Sequence, residues 1–135
     1  MIPDAHVVGF VEGEGCFSIA IKLYTDRKPR KTSEKRKQKK PALGFRVCPS
    51  FHINIREDDR PILEEIRQRL GVGKIYIGKR AKHNLNWLNT AHYYVENVAD
   101  LHKIQDFFRQ QTFYTKKGRD FKLWCKCLEI MEKKQ

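Results

Sequence analysis

The segment VVGFVEGEG, residues 7–15, decides the fold and carries most of the chemistry. It reads as the apolar end of a short helix, residues 4–13, with Asp4 as the candidate N-cap. The segment ends in two carboxylates, Glu12 and Glu14, in a chain whose formal net charge is +12. Carboxylates in so cationic a protein predict a divalent ion such as Mg²⁺, which one or two carboxylates hold together with substrate phosphate oxygens.

The composition predicts one folded domain, residues 1–135, whose partner is a nucleic acid. The chain is 40% hydrophobic and 11% aromatic, which is enough for a core. Its 28 Lys and Arg outnumber 16 Asp and Glu, and such an excess favours nucleic acid over an acidic membrane. No apolar run reaches the roughly 18 residues that span a bilayer, and no signal-peptide pattern is present. We therefore expect no membrane partner and an intracellular location, either the prokaryotic cytoplasm or an organelle.

The four cysteines predict reduced structural thiols. Cys16 and Cys48 fall on predicted strands, and Cys125 and Cys127 form a C-x-C within a helical pattern. No second pair completes a tetrahedral zinc site, and the spacing does not suggest disulfides.

Alternating apolar and polar residues predict four strands, at residues 17–24, 45–56, 73–79 and about 89–96. In the first strand the apolar residues Phe17, Ile19, Ile21 and Leu23 should form a buried face. In the second strand Pro49 predicts an edge position or a bulge, because proline cannot donate a ladder hydrogen bond. Helical periodicity predicts helices that start near Asp59 and at Asn97, and a last one at residues 119–133. The result is an α+β fold of order αββαββα, with room for one further helix.

In this arrangement helices cover the apolar face of a curved four-stranded antiparallel sheet, and the polar face forms a DNA-binding saddle. A two-stranded ribbon enters the DNA major groove, where Arg46 and Arg56 would read guanine and Asn54 adenine. Residues 27–40 contain nine Lys or Arg and one acid, and we favour phosphate contact for them over a merely solubilising loop. The expected DNA-binding residues are Lys22, Tyr24, Arg27, Lys28, Arg30, Lys31, Arg46, Ser50, His52, Asn54, Arg56, Lys74, Tyr76, Lys79, Arg80, His92, Tyr94 and Lys117.

The motif of residues 7–15, running on into CFSI at residues 16–19, resembles the signature of the LAGLIDADG homing endonucleases. The similarity continues in family order and spacing over nearly the whole chain. It includes FHINI (51–55), DRPIL (59–63), GVGKIY (71–76), DL (100–101), FF (107–108) and TKK (115–117).

The resemblance implies a site-specific double-strand DNA endonuclease that depends on Mg²⁺, with Mn²⁺ as a substitute, and that needs no small-molecule cofactor. It implies a long pseudo-palindromic site cut to leave 3′ overhangs. Glu14 would be the catalytic metal ligand, with the backbone carbonyl of Gly13 as a second donor. Lys116 corresponds to the family's active-centre lysine, although an alignment shifted by one residue gives that role to Lys117. Where some members place a water-positioning Gln, this chain has Ile55, which leaves open a catalytically weak or inactive relative, an intron maturase or a DNA-binding regulator.

The chain holds one copy of the motif, which predicts a C₂ homodimer with a second identical chain. Gly9 and Gly13 lie four residues apart on one helical face, so two such helices can approach backbone to backbone. The twofold axis would bring the two Glu14 side chains together under the centre of the DNA. The expected interface residues are Val8, Gly9, Glu12 and Gly13.

Overall fold

A computed structural model describes residues 1–23, 44–78 and 89–133. The elements run α1 (Asp4–Glu14), β1 (Gly15–Leu23), β2 (Phe45–Arg56), α2 (Arg60–Leu70), β3 (Lys74–Gly78), β4 (Thr90–Val95), α3 (Val98–Arg109) and α4 (Lys117–Lys133), with a 3₁₀ turn at Glu57–Asp59. This confirms the α+β fold and the predicted order, with α4 as the further helix. Seven expected DNA contacts lie outside the described residues: Tyr24, Arg27, Lys28, Arg30, Lys31, Lys79 and Arg80.

The four strands form one antiparallel sheet in the order β1-β2-β4-β3. The register places apolar residues opposite one another across the sheet, for example Ile53 beside Tyr93 and Tyr93 beside Ile75. Because side chains alternate between the faces of a strand, one face of the sheet is apolar and the other polar. The four helices cover the apolar face, as the alternation predicted.

Pro49 sits in a stretch of β2 that has a single neighbouring strand. It pairs with Ile19 of β1, whereas the pairing of β2 with β4 begins only at Phe51. The register of β1 against β2 is continuous through Pro49, so the strand contains no bulge there. β2 is an internal strand of the sheet, but at Pro49 it has a neighbour on one side only among the described strands. Pro49 thus has the edge position that the sequence predicted, and its missing N–H need not cost a ladder bond.

An aromatic cluster fills the core between the sheet and the helices. Trp124 of α4 and Tyr93 of β4 are 1% and 0% exposed. Each also makes a hydrogen bond to a backbone carbonyl, Trp124 Nε1 to Ser50 at 3.1 Å and Tyr93 Oη to Val72 at 2.5 Å. Phe17 lies with its ring centroid 5.1–6.2 Å from those of Phe51, Phe108, Phe113, Phe121 and Trp124.

The predicted burial of the first strand is wrong over its second half. Phe17 joins the core, but Ile19, Ile21 and Leu23 are 42%, 67% and 56% exposed. The reason is tertiary: β4 pairs with β2 only as far as Phe51, so the β1–β2 hairpin continues past the other strands. The outer part of the hairpin keeps the alternating sequence but extends beyond the helices that would bury its apolar side chains.

The helix ends follow the sequence in two cases and differ in one. Asn97 caps α3 by accepting hydrogen bonds from its first amides, and Gly71 ends α2 in the left-handed region at φ 75°. The N-cap of α1, however, is Pro3 rather than Asp4. Asp4 lies inside the helix, and its carboxylate accepts hydrogen bonds from Arg69 Nε at 2.6 Å and Nη2 at 3.0 Å.

All four cysteines are unpaired thiols. Burial raises the thiol pKa of Cys125 and of Cys127. In the part of the chain that the structure describes, no helix is both long and apolar enough to cross a membrane.

Candidate metal centre and nucleic-acid interface

The end of α1 meets the start of α4, although about a hundred residues separate them in the chain. Lys117 Nζ donates a hydrogen bond to the carbonyl of Gly15 at 2.7 Å. The Glu12 carboxylate accepts from the backbone amides of Thr115 at 2.6 Å and of Tyr114 at 3.1 Å. These contacts bring the motif and a lysine-rich segment into one small region.

Glu14 is the last residue of α1, and it is exposed. It lines a cavity of about 370 Å³ together with Asn54, Ile55, Arg56 and Asp59. Asn54 and Arg56 belong to the polar face of β2, so the motif carboxylate borders the face expected to contact DNA. The structure thus brings Glu14 together with two of the expected recognition residues.

The donors at this site fit Mg²⁺ held jointly with a nucleic acid. Among residues 1–23, 44–78 and 89–133, no three His, Cys, Asp or Glu side chains gather into a complete metal cage. Mg²⁺ commonly takes only one or two carboxylates, and phosphates and water fill its other positions. Glu14 supplies one carboxylate, and Gly13 has one of the last four carbonyls of α1, which lack partners within the helix.

The two adjacent lysines occupy different environments. Lys116 has an exposed side chain, and its carbonyl accepts from the amides of Arg119 and Asp120 as α4 begins. Lys117 is half-buried, and its ammonium lies against Gly15, next to Glu14 in the chain. The role expected of Lys116 stays a prediction, but the geometry favours Lys117 as the lysine of this centre.

The sheet register places all the expected recognition residues of the described strands on the open face. Lys22 pairs with Arg46 there, and His52 pairs with Tyr94. The ten expected recognition residues on this face are Lys22, Arg46, Ser50, His52, Asn54, Arg56, Lys74, Tyr76, His92 and Tyr94. Ser50 differs from the expectation because it is only 7% exposed, which leaves it little surface for a DNA contact.

Sequence reasoning missed a hydrogen-bonded network on this face. His92 lies 2.7 Å from Thr90 Oγ1 through Nε2 and 2.6 Å from Asn54 Oδ1 through Nδ1, and its ring stacks on Tyr76 at 4.8 Å. An amide oxygen only accepts, so Nδ1 carries the proton that His92 donates to Asn54. This bond occupies one of the two lone pairs of the Asn54 amide oxygen and leaves the other lone pair and the NH₂ group free, so the expected bidentate contact with adenine stays a prediction. Only the pairing of Asn54 with His92 across the strands would have revealed this.

His52 is a second partly buried imidazole on the same face. Its Nδ1 is buried without a hydrogen-bond partner among the described residues, and its ring stacks on Tyr94 at 6.2 Å. Burial, with a smaller contribution from the charge of His92, lowers the pKa of His52. His52 therefore favours its neutral form, and it adds hydrogen-bonding capacity rather than positive charge.

The expected interface residues of α1 divide into two groups. Gly9 and Gly13 are exposed, and apart from the adjoining residues and backbone of α1 no described atom lies within 4 Å of where a Cβ would stand on either. Val8 is 4% exposed, because its side chain packs into the core of its own subunit. Glu12 turns its carboxylate toward Tyr114 and Thr115 of the same chain. Of the four expected interface residues, Gly9 and Gly13 are therefore the exposed ones, and the interface itself stays a prediction.

A family model described as LAGLIDADG endonuclease matches residues 7–128. A probable intron-encoded DNA endonuclease of Mycosarcoma maydis is 30% identical over 123 residues, which are 90% of this chain and 35% of that protein. The chain thus spans about a third of that relative's length.

Solved structures agree with the sequence match. The homing endonuclease I-TnaI superposes with a TM-score of 0.70 at 28% identity, covering 98% of this chain and 75% of its own. The LAGLIDADG meganuclease I-CpaMI, solved bound to uncleaved DNA, gives a TM-score of 0.76 at 25% identity, with 99% and 39% covered. The motif at residues 7–15, the sheet order and these matches together show that the chain belongs to the LAGLIDADG endonuclease family.

Proposed function

We propose that this chain is a site-specific DNA endonuclease that acts as a homodimer with Mg²⁺, for which Mn²⁺ can substitute. The observation that carries the proposal is the cavity in which Glu14 stands beside Asn54 and Arg56. A carboxylate at the border of a basic sheet face is suited to metal-assisted hydrolysis of a phosphodiester. The relatives named above as endonucleases, one of them bound to DNA, support the same activity.

Each residue of the site has a distinct part in the proposed reaction. Glu14 and the carbonyl of Gly13 would hold the metal, which when bound supplies an activated water and neutralises phosphate charge. Lys22 and Lys74 would bind the DNA backbone across the open face, where Coulomb attraction orients the duplex, and Arg46 would read guanine. The Lys117 ammonium, at the end of α1, would stabilise negative charge that develops on the phosphate.

The dimer follows from the single motif and from the open glycine face of α1. Two copies crossing at Gly9 and Gly13 would place one Glu14 from each chain near the twofold axis. Each subunit would then cut one strand, at a long pseudo-palindromic site, leaving 3′ overhangs.

One observation favours a second candidate, a DNA- or RNA-binding relative that does not cut, such as a maturase or a regulator. Ile55 lines the Glu14 cavity, and its side chain offers no hydrogen bond to a nucleophilic water. On this alternative the basic face and the dimer persist while hydrolysis is lost.

Cleavage of a randomised DNA library separates the two candidates. We expect defined cuts with Mg²⁺, and binding without cuts when Ca²⁺ replaces it. The Glu14→Gln variant should bind selected sites within several-fold of the parent but should not cut them. Glu65→Gln, an exposed carboxylate on α2, is the matched control and should cut normally. Selective binding with no cleavage in any metal would establish the non-cutting candidate, and cleavage that survives Glu14→Gln would contradict the assigned centre.

The lysine assignment is tested in the same assay. Lys117→Met should reduce the cleavage rate at saturating DNA far more than Lys116→Met does. If Lys116→Met causes the larger loss, the lysine role predicted by the resemblance is correct and the one favoured by the geometry is not.

A further inference from the structure

Glu12 has contacts unlike those of an ordinary acid at a helix end. One carboxylate oxygen accepts from the amide of Thr115 at 2.6 Å and from that of Tyr114 at 3.1 Å, and the other lies 3.2 Å from the Tyr114 amide. Both donors belong to the backbone, and they are 102 and 103 residues away in the chain. Glu12 therefore ties the motif helix to a distant segment through the main chain.

The electrostatics of two helix ends explain why the carboxylate turns this way. Glu12 lies near the C-terminus of α1, where the helix dipole disfavours negative charge. The amides of Tyr114 and Thr115 immediately precede the N-terminus of α4, where the dipole favours it. The hydrogen bonds from Thr115 and Tyr114 accordingly hold the carboxylate at the end of α4 that favours its charge.

The segment that Glu12 holds leads directly to the lysine of the site. Thr115 is followed by Lys116 and Lys117, and Lys117 Nζ is 2.7 Å from the carbonyl of Gly15. A second bond stiffens the same stretch, because the Thr115 hydroxyl accepts from the Lys117 amide at 3.3 Å. Two contacts thus attach residues 114–117 to α1. Glu12 accepts from the backbone amides of the segment, and the Gly15 carbonyl accepts from its lysine ammonium.

We propose that Glu12 is a positioning residue, which holds residues 114–117 against α1 so that the Lys117 ammonium stays on the Gly15 carbonyl at the end of the motif helix. Glu12 acts through Lys117 and does not itself contact the reacting phosphate. This inference rests on the proposed endonuclease activity for its effect on rate, but the tether itself is independent of that activity.

A double-mutant cycle tests whether Glu12 acts through the lysine. Glu12→Gln replaces an acceptor oxygen with an N–H₂ group that would face backbone N–H donors. Misplacing a catalytic group by about 1 Å can cost about 100-fold in rate, so we expect Glu12→Gln to lower kcat by about 10- to 100-fold. Its DNA affinity in Ca²⁺ should stay within several-fold of the parent. Added to Lys117→Met, the same change should cause little further loss, because the group that it positions is already gone.

Two controls and their outcomes complete the cycle. Glu65→Gln makes the same change at an exposed carboxylate of α2 and should leave kcat unchanged. Glu12→Asp keeps the charge on a shorter side chain, and it should retain more activity than Glu12→Gln. Losses from Glu12→Gln and Lys117→Met that multiply fully in the double variant would overturn the positioning role, as would a normal kcat for Glu12→Gln.

Amide hydrogen exchange without DNA separates this inference from the proposed function. Glu12→Gln should speed exchange at the amides of Tyr114 and Thr115, while the amides of the sheet core stay as protected as in the parent. Unchanged exchange at these two amides would refute the tether whether or not the protein cuts DNA. Faster exchange in a protein that cuts no DNA would support the tether and refute only the endonuclease. If Glu12→Gln does not fold, Glu12→Asp is measured in its place.

Discussion

Replacing Gly9 with alanine should stabilise the isolated subunit and weaken the dimer, and these opposite signs make it the most informative single change. Gly9 lies inside α1 on an exposed face, and apart from the adjoining residues and backbone of α1 no described atom is within 4 Å of the position of a new Cβ. Alanine is favoured over glycine in a helix interior by about 0.8–1.0 kcal/mol. A dilute, monomeric Gly9→Ala protein should therefore unfold at a higher temperature than the parent.

The proposed dimer turns the same methyl group into an obstacle. If two α1 helices cross with their backbones in contact, each added Cβ overpacks the interface at a cost of about 1–3 kcal/mol. Twofold symmetry introduces the methyl group twice, which gives about 2–6 kcal/mol in total. Each 1.4 kcal/mol changes Kd about tenfold, so the dimer Kd should rise by roughly 30-fold to 10⁴-fold.

Sedimentation equilibrium over a dilution series measures the dimer Kd. Thermal unfolding at protein concentrations well below that Kd measures the stability of the isolated subunit. Gly13→Ala, on the same face, should behave like Gly9→Ala. Glu65→Ala, at an exposed site of α2, is the control and should leave the Kd unchanged. The reasoning is refuted if Gly9→Ala dimerises as the parent does, or if the parent remains a monomer at every concentration.

Three further variants test the core and the tether. Tyr93→Phe removes a hydroxyl that donates to the buried Val72 carbonyl, so the free energy of unfolding in urea should fall by about 1–3 kcal/mol. Trp124→Phe removes the indole donor to the Ser50 carbonyl, and a loss of at least similar size is expected in the same titration, since the smaller ring also leaves a cavity. The pKa of the Glu12 carboxyl is lower in the folded state than in the unfolded state. The stability that this carboxylate contributes is therefore present above the unfolded-state pKa and is lost as the pH falls through the folded-state pKa. Thermal midpoints of Glu12→Gln should accordingly fall less between about pH 5 and about pH 2 than those of the parent, and parallel curves would contradict the lowered pKa.

The fold was predictable where the information is local. Strand alternation, the Asn97 cap and the Gly71 helix end all follow from short-range chemistry, and the structure agrees with them. The burial expected of Ile21 failed because it depends on how far the helix layer extends over the sheet, which no local pattern encodes. The N-cap role expected of Asp4 failed for the same reason, because its partner Arg69 lies on another helix.

The site was predictable in its residue types but not in its contacts. The motif assigned the metal to Glu14, a role that stays a prediction, but no local pattern indicated that Glu12 turns toward Thr115. The sequence likewise does not reveal that Lys116 and Lys117 have different environments. A helix start between them places one ammonium against Gly15 and leaves the other exposed, and this difference arises from tertiary geometry.

The ties from Glu12 to Thr115 and from Lys117 to Gly15 also bear on when the site can form. Each joins residues about a hundred positions apart, and contacts of such high sequence separation form late because a long loop must close first. During synthesis the motif helix and the first two strands leave the ribosome well before residues 114–117 do. A partly made chain that ends before residue 114 therefore has its motif helix but lacks the lysine that contacts it.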